Sequence, residues 1–338
     1  MDSLKKLPHP FFVLAPMDDV TDTVFRQIVM DCSPPDLSFT EFVNADGLQS
    51  AGRPKLLKKL RFQESEGPLI AQLWGKEPEN FYKTAKQIAD GTFAKELNLP
   101  NGINFAGVDL NMGCPQKNEV KNGTCAALMN DRELAKKIIE ATIEGLDGRL
   151  PISIKTRLGY SEFDKTWIEF LLSFKLDMLT IHGRTKKQMS AVPADWEAIG
   201  EVRKMRDEIS PVTLIVGNGD VKDKVHGLEL AIKHNLDGIM IARGVFHDPY
   251  AFSLEETWTN YSRQQRIDLY KKHVSLFMET WKNRERPIHT LNKFCKIYIN
   301  GFDGAKELRE SLMAAQSGDE LLAILKAASK VNVALSIS

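Results

Sequence analysis

Cys114 stands in the run Asn111-Met112-Gly113-Cys114-Pro115. Gly and Pro on either side turn the chain outward and leave the thiol on a loop. There it can act as a general acid or as a nucleophile. Cys32, Cys125 and Cys295 are read as inert small hydrophobes, Cys125 least firmly, because Gly123-Thr124-Cys125 belongs to the same loop. Lys155 and His182 end two later apolar runs. An ammonium and an imidazole side by side can hold an electron-rich ring, and a cation near the N1/O2 edge of a flavin stabilises its anionic reduced form. The lysine could instead form a Schiff base, and the histidine taken alone could be a hydrogen-bonded interior residue. Gly217-Asn218-Gly219 and Ala242-Arg243-Gly244 follow. Glycines there let backbone N–H groups approach an anion, and Arg243 adds charge. The competing reading is two tight turns that need positive φ; two such turns with an arginine favour phosphate.

Something must carry these residues to one place. Short apolar runs recur, each followed by a helical pattern: Phe11–Met17, Leu37–Phe42, Leu69–Gly75, Val108–Cys114, Ile152–Gly159, Met178–Arg184, Leu214–Asp220 and Gly238–Gly244. Strands alternating with helices imply βαβ units and a parallel sheet. Eight units predict a (β/α)8 TIM barrel, with a doubly wound sheet as the alternative. In such barrels function sits at the C-terminal strand ends. The ends here are Pro16-Met17, Glu41, Gln72, Asn111 with Cys114, Lys155 with Arg157, His182 with Arg184, Asn218-Gly219-Asp220, and Arg243-Gly244. A ring of polar residues around one mouth predicts an active site, and its seventh and eighth strand ends stand where such barrels bind phosphate.

Helices are predicted over Pro78–Gly91, Asp131–Gly145 and Lys224–His234, and Phe93–Phe105 reads as an inserted loop. Beyond residue 258 only helical patterns remain: Arg263–Trp281, His289–Ile299, Gly304–Ala315 and Asp319–Ala328. The expected division is a catalytic barrel over 1–258 and a small C-terminal helical domain over 259–338.

The 338 residues carry 45 Lys plus Arg against 45 Asp plus Glu. A net charge of zero excludes a globally basic nucleic-acid binder but leaves room for a local patch. The four cysteines form no CxxC pair, which argues against zinc-ribbon or thioredoxin chemistry, and so few cysteines in a large chain argue for a reducing compartment. No metal is expected. The N-terminal segment lacks a signal-peptide pattern, and no apolar run is long enough to span a bilayer. A cytoplasmic monomer is expected.

The chain resembles the tRNA-dihydrouridine synthases from about Leu14 to Leu312. The resemblance rests on Leu14-Ala15-Pro16-Met17 with Val20-Thr21-Asp22 and Phe25-Arg26; Thr40-Glu41; Gln72-Leu73; Asp109 through Pro115; Lys155-Thr156-Arg157; His182-Gly183-Arg184-Thr185; Ala194-Asp195-Trp196; Gly217 through Asp220; and Ala242-Arg243-Gly244. It implies a barrel that binds FMN, with Pro16 and Met17 against the ring system and Gln72, Lys155 and His182 at its polar edge. The phosphate end would take Asn218, Gly219, Asp220, Ala242, Arg243 and Gly244. NADPH would reduce the flavin. Hydride would pass from the flavin to C6 of a flipped-out uridine, with Cys114 protonating C5 as general acid. Asn111 and Arg184 would contact the uracil, and Glu41 would support the substrate site. The stretch Lys187–Pro193 and the pair Asp18-Asp19 depart from the family pattern.

A uridine inside folded RNA must leave its stack to reach such a site. Residues 261–300 hold Arg263, Arg266, Lys271, Lys272, Lys282, Arg284, Arg286, Lys293 and Lys296 against three acids. An arbitrary basic helix would be a solvated face. The resemblance, whose helical domain binds tRNA, turns this window into an expected tRNA surface, with Lys293 and Lys296 foremost. Two other functions fit parts of the pattern: an FMN-dependent barrel oxidoreductase acting on a small pyrimidine-like substrate, and a non-catalytic RNA-binding protein.

Overall fold

The computed structural model describes residues 4, 6–282 and 285–334. Eight parallel strands close a barrel. They are β1 (Phe11–Leu14), β2 (Leu37–Phe39), β4 (Leu69–Trp74), β5 (Gly107–Met112), β6 (Ile152–Arg157), β7 (Met178–His182), β8 (Leu214–Asn218) and β9 (Gly238–Ile241). β1 pairs with both β2 and β9, and β2 pairs with β4, so the ring has no free edge. β3, the two residues Val43–Asn44, only extends the pairing of β4. Every apolar run foreseen as a strand is one.

Alternation with a period of two decides which residues face inward. Phe11, Val13 and Ala15 of the first run, Leu37 and Phe39 of the second, and Ile70, Met178, Val216 and Met240 form one buried apolar cluster. These side chains fill the barrel interior. Two residues further along the same inward row come Gln72, Asn218 and Ala242, so the apolar filling gives way to a site at the C-terminal ends.

The outer helices follow the expected pattern. α1 spans Thr23–Cys32, α2 Pro78–Ala89, α3 Arg132–Leu146, α4 Lys165–Leu172, α5 Trp196–Ile209 and α6 Lys224–His234. α2 and α3 pack on each other, and each buries a stripe at helical spacing, with Phe81, Ala85 and Ile88 on one helix and Ile138 and Ile139 on the other. Asp131, Asp164, Asp195 and Asp223 each cap the helix that follows them by accepting a backbone N–H, which offsets donors that a helix leaves unpaired. The expected loop over 93–105 is partly helical. Thr92–Glu96 makes one short helix that buries Phe93 and Ala94, and Phe105 packs against Phe62 at 4.9 Å. A helix of one turn is too short to display a period.

The chain divides into two compact units: residues 1–23 with 35–243, and 24–34 with 244–338. The second unit holds α7 (Arg263–Thr280), α8 (Asn292–Tyr298), α9 (Ala305–Ala314) and α10 (Gly318–Ala334). It also takes most of α1 and residues 244–258. Phe25 of α1 stacks on Phe294 at 5.0 Å, and Asp31 pairs with Lys272 at 2.8 Å. Trp258 donates from its indole to the Ile297 carbonyl at 3.0 Å. These anchors are aromatic or single polar contacts, which a search for strand and helix periods passes over. No helix among the described residues is long and apolar enough to cross a membrane.

Candidate active site

Register sets how deep each strand-end side chain lies. Asn111 on β5 is level with Lys155 on β6, and Arg157 on β6 is level with His182 on β7, which is level with Asn218 on β8. Lys155 therefore sits two residues deeper than His182. Both still line one cavity of about 120 Å³, together with Pro16, Gln72, Asn111 and Cys114. A second cavity of about 50 Å³ opens beside it between His182, Asn218, Gly219, Asp220, Ala242 and Arg243. A roomier cleft of about 460 Å³ lies elsewhere, against α5 and α6, but its walls, such as Glu197, Arg203, Asp207 and Lys233, carry no strand-end residue.

A buried polar chain underlies the first cavity. Ser153 donates to Asp109 at 2.5 Å, and Gln72 donates its amide N–H to the same carboxyl at 2.8 Å. Asn111 donates to the Gln72 carbonyl oxygen at 3.2 Å, and its own oxygen accepts the backbone N–H groups of Gly113 and Cys114 at 3.2 and 3.0 Å. An amide has one accepting and one donating end, so each partner fixes the orientation of the next and the series ends on the Cys114 loop. Gly113 keeps that loop close: a β-carbon there would stand 3.0 Å from the Thr156 backbone. Sequence reasoning gives Asp109 no role, although it falls on the same inward row as Asn111. Burial pushes its carboxyl up to about 7, against the hydrogen bonds from Ser153 and Gln72.

Lys155 has no hydrogen-bond or ion-pair partner among the described residues. Burial, and after it Arg157, lower its ammonium to about 8 against Asp109 and Cys114, which hold it up. His182 is held well below its ordinary range by burial first, then by Lys155, Arg157, Arg184 and Arg243. The Arg184 guanidinium stands 3.0 Å from His182 Nε2. A guanidinium only donates, so Nε2 accepts and the neutral ring carries its proton on Nδ1. The Cys114 thiol is lowered from its usual value, chiefly by a hydrogen bond from Cys125, against burial. Cys32 and Cys295 differ: burial pushes their thiols up to about 12 and about 11.

Arginines brace the loops. Arg157 donates to the carbonyls of Gly113, Thr185 and Met189 at 2.9, 3.0 and 2.8 Å, tying the β5 and β7 loops together. Arg184 is buried and bonds the Val192 carbonyl at 2.5 Å, His182 and Asp220. It would reach a uracil only by giving up one of these. The divergent stretch 187–193 is thus held by Arg157, expected only at a strand end, and by Arg184, expected at a strand end and against the uracil. Asp220 also accepts from Ala194 N–H at 2.9 Å and from Arg243 at 3.0 Å; burial raises its carboxyl, but the bonds from Ala194 and Arg184 and the two arginine charges bring it below its usual range. Gly219 has φ +129°, and a β-carbon there would meet that of Ala194 at 2.6 Å, so only glycine suits both the conformation and the space. Arg243 and Gly244 begin the short helical turn Arg243–Phe246.

On the β1 side, Pro16 and Met17 are half-buried. The Thr21 hydroxyl accepts from Met17 N–H at 2.9 Å, which curls the loop. Glu41 is fully buried and accepts from Asp19 N–H at 2.8 Å. It braces the β1 loop.

Within the second unit the basic window divides. Arg266 is buried and donates to the carbonyls of Tyr261 and Trp258, and Arg286 is buried over Trp281. Lys271 pairs with Asp268 and Lys272 with Asp31. Lys282, Lys293 and Lys296 are exposed, the last two on one face of α8, while Phe294, Cys295, Ile297 and Tyr298 are buried. Arg284 lies outside the described residues.

The chain is similar to known proteins in fold and in sequence. A barrel-containing structure, histamine dehydrogenase from Rhizobium sp. 4-9, superposes on 78% of this chain and 48% of its own with a TM-score of 0.51 at 12% identity, a likeness of fold. A probable tRNA-dihydrouridine synthase from Staphylococcus aureus is 43% identical over 323 residues, 95% of this chain and 93% of its own length. The probable tRNA-dihydrouridine synthase 2 of Bacillus subtilis is 42% identical over 324 residues, 95% and 94% of the two chains. The family model described as dihydrouridine synthase matches residues 13–334, and the chain belongs to that family.

Proposed function

We propose that this protein reduces the C5=C6 bond of a uridine in tRNA to 5,6-dihydrouridine, with FMN at the barrel mouth, NADPH as reductant and Cys114 as general acid. The observation that carries the reading is the ammonium of Lys155, which has no partner among the described residues and lines one cavity with Cys114 and His182. A partly buried charge without a partner is costly unless a ligand completes it. An electron-rich ring with carbonyl acceptors would do so. Neutral His182, with its Nδ1–H free to donate, and the Gln72 amide fit the same edge. Gly219 and Arg243 fit a phosphate, which would compete with Asp220 for the Arg243 guanidinium. Pro16 and Met17 would lie against the ring; Asn218, Asp220, Ala242 and Gly244 would complete the phosphate end.

When bound, the flavin supplies hydride. The protein's own residues do the rest. Asn111 would orient the uracil beside Cys114, and Glu41 would brace the β1 loop. Arg184 would keep His182 in one tautomer. Cys114 would give its proton to C5 as C6 receives hydride. A general acid works best when its pKa is near the working pH, and the lowering of Cys114 moves it that way. Lys293 and Lys296 would meet the phosphate backbone of the tRNA.

The test is mass spectrometry of nucleosides from tRNA lacking dihydrouridine, before and after incubation with protein and NADPH. The expected product is a uridine heavier by two hydrogens at a defined position. A yellow protein that oxidises NADPH and leaves the tRNA unchanged would favour a small-molecule oxidoreductase instead. Cys114→Ala should keep bound FMN and lose turnover by about 10²–10⁴-fold, the usual contribution of a positioned acid. Unchanged turnover would remove Cys114 from the mechanism.

A further inference from the structure

We infer that Cys125 is a positioning residue for Cys114: its thiol donates a hydrogen bond to the Cys114 sulfur and holds the thiolate left when Cys114 gives up its proton. The inference rests on the reading of Cys114 as the general acid. Cys125 opens the short helix Cys125–Asn130 and is fully buried. The backbone locks the pair in register, since Ala126 N–H donates to the Cys114 carbonyl at 3.3 Å. Thr124 closes the loop between the two cysteines, with its N–H and its hydroxyl both donating to the Glu119 carbonyl, at 3.0 and 2.8 Å. The two thiols interact, each shifting the other, and neither is in a disulfide. Cys125 also has φ +54°, a left-handed conformation uncommon outside glycine and the small polar residues. Backbone held in such a region collects at functional sites.

Enclosure decides which thiol donates. Cys125 is sealed from solvent and raised well above the ordinary thiol range, so it keeps its proton. Cys114 lines the open cavity and is lowered mainly by Cys125, with help from the Gln116 N–H and Lys155 and opposition from burial and Glu119. Arg157, which carries positive charge beside it, also interacts with the Cys114 thiolate. In the proposed step the electron pair at C5 takes the proton. The Cys114 S–H bond breaks with both electrons left on sulfur, and water at the mouth restores the proton. The Cys125 S–H bond stays intact throughout and serves as the donor that makes this thiolate less costly.

The test is the pH dependence of iodoacetamide alkylation at Cys114 in the full-length protein, read by peptide mass spectrometry, beside the pH profile of kcat/KM on tRNA. Cys125→Gly removes the donor at a backbone angle that suits glycine, and Cys125→Ala is the second such variant. Both should move the alkylation midpoint to higher pH and slow alkylation near neutrality by about tenfold, the change in thiolate for one pKa unit. The alkaline limb of kcat/KM should move the same way, because the acid then keeps its proton to higher pH. Cys125→Ser, whose hydroxyl can donate, should restore most of the wild-type curve. Alkylation curves that superimpose on the wild type in the Gly and Ala variants would overturn the inference. A shifted alkylation curve with an unmoved kcat/KM profile would keep the hydrogen bond and overturn Cys114 as the acid.

Discussion

Lys155 and Asp109 lie close enough to influence each other, beside the buried polar chain of Ser153, Gln72 and Asn111. Burial works against both charges, so the lysine falls to about 8 while the aspartate rises to about 7. The ammonium is charged below its pKa and lost above it. FMN affinity should therefore hold through neutral pH and decline as pH rises past about 8. Lys155→Met should bind FMN about tenfold or more weakly, as expected for a lost charge-assisted hydrogen bond of about 1.5–3 kcal/mol, and its affinity should be flat over that range. Fluorescence titration of FMN at a series of pH values checks both. A wild-type affinity that does not change above pH 8 would remove Lys155 from the flavin edge. The strand-end position of Lys155 was legible in the sequence because alternation and the barrel rule suffice. Its depth relative to His182 was not, because register is a property of two strands.

Among the elements, α7 and α8 meet through His273. Its Nδ1 is 2.8 Å from the Tyr298 hydroxyl, and its Nε2 has no partner among the described residues. Burial lowers its pKa to about 3. An unfolded histidine takes up a proton near pH 6.5, so between these values the unfolded state binds a proton that the folded state refuses. Stability should therefore fall as pH drops below about 6.5, by up to about 1.4 kcal/mol per pH unit from this group. His273→Phe should flatten that part of the curve, while losing a constant amount for the Tyr298 bond. Urea unfolding of wild type and variant across mildly acidic pH gives the difference, and parallel curves would refute it. The helices themselves were readable from their 3.6-residue spacing. That α1 groups with the C-terminal helices was not, because its anchors are Phe25 against Phe294 and Asp31 against Lys272, contacts between segments far apart in the chain.

For the whole molecule, a net charge of zero makes any affinity for nucleic acid depend on local patches. Folding thins the basic window of the sequence. Arg266 and Arg286 spend their guanidinium groups inside the protein, and Lys271 and Lys272 are paired. Lys293 and Lys296 remain exposed on one face of α8. Replacing both with Ala should raise the KM for tRNA. It should also flatten the slope of log affinity against log salt by roughly 1.5, since each phosphate contact contributes about 0.7–0.9. Filter binding at several salt concentrations measures the slope. An unchanged slope would move the RNA surface off α8.

The order of apolar runs and helical stripes determined the barrel by itself. Periods of two and 3.6 are local, and eight βα units in a row have few ways to bury their faces. The same order put Gln72, Asn111, Lys155, His182 and Asn218 at one end, because parallel strands share a direction. The tertiary structure alone decided register, tautomer and partnership: Lys155 below His182, the proton of His182 on Nδ1, Arg184 committed to Asp220, and Ala126, next to Cys125, bonded to the Cys114 carbonyl. Each of these depends on distances between segments that the chain brings together only on folding, and no local pattern carries such distances.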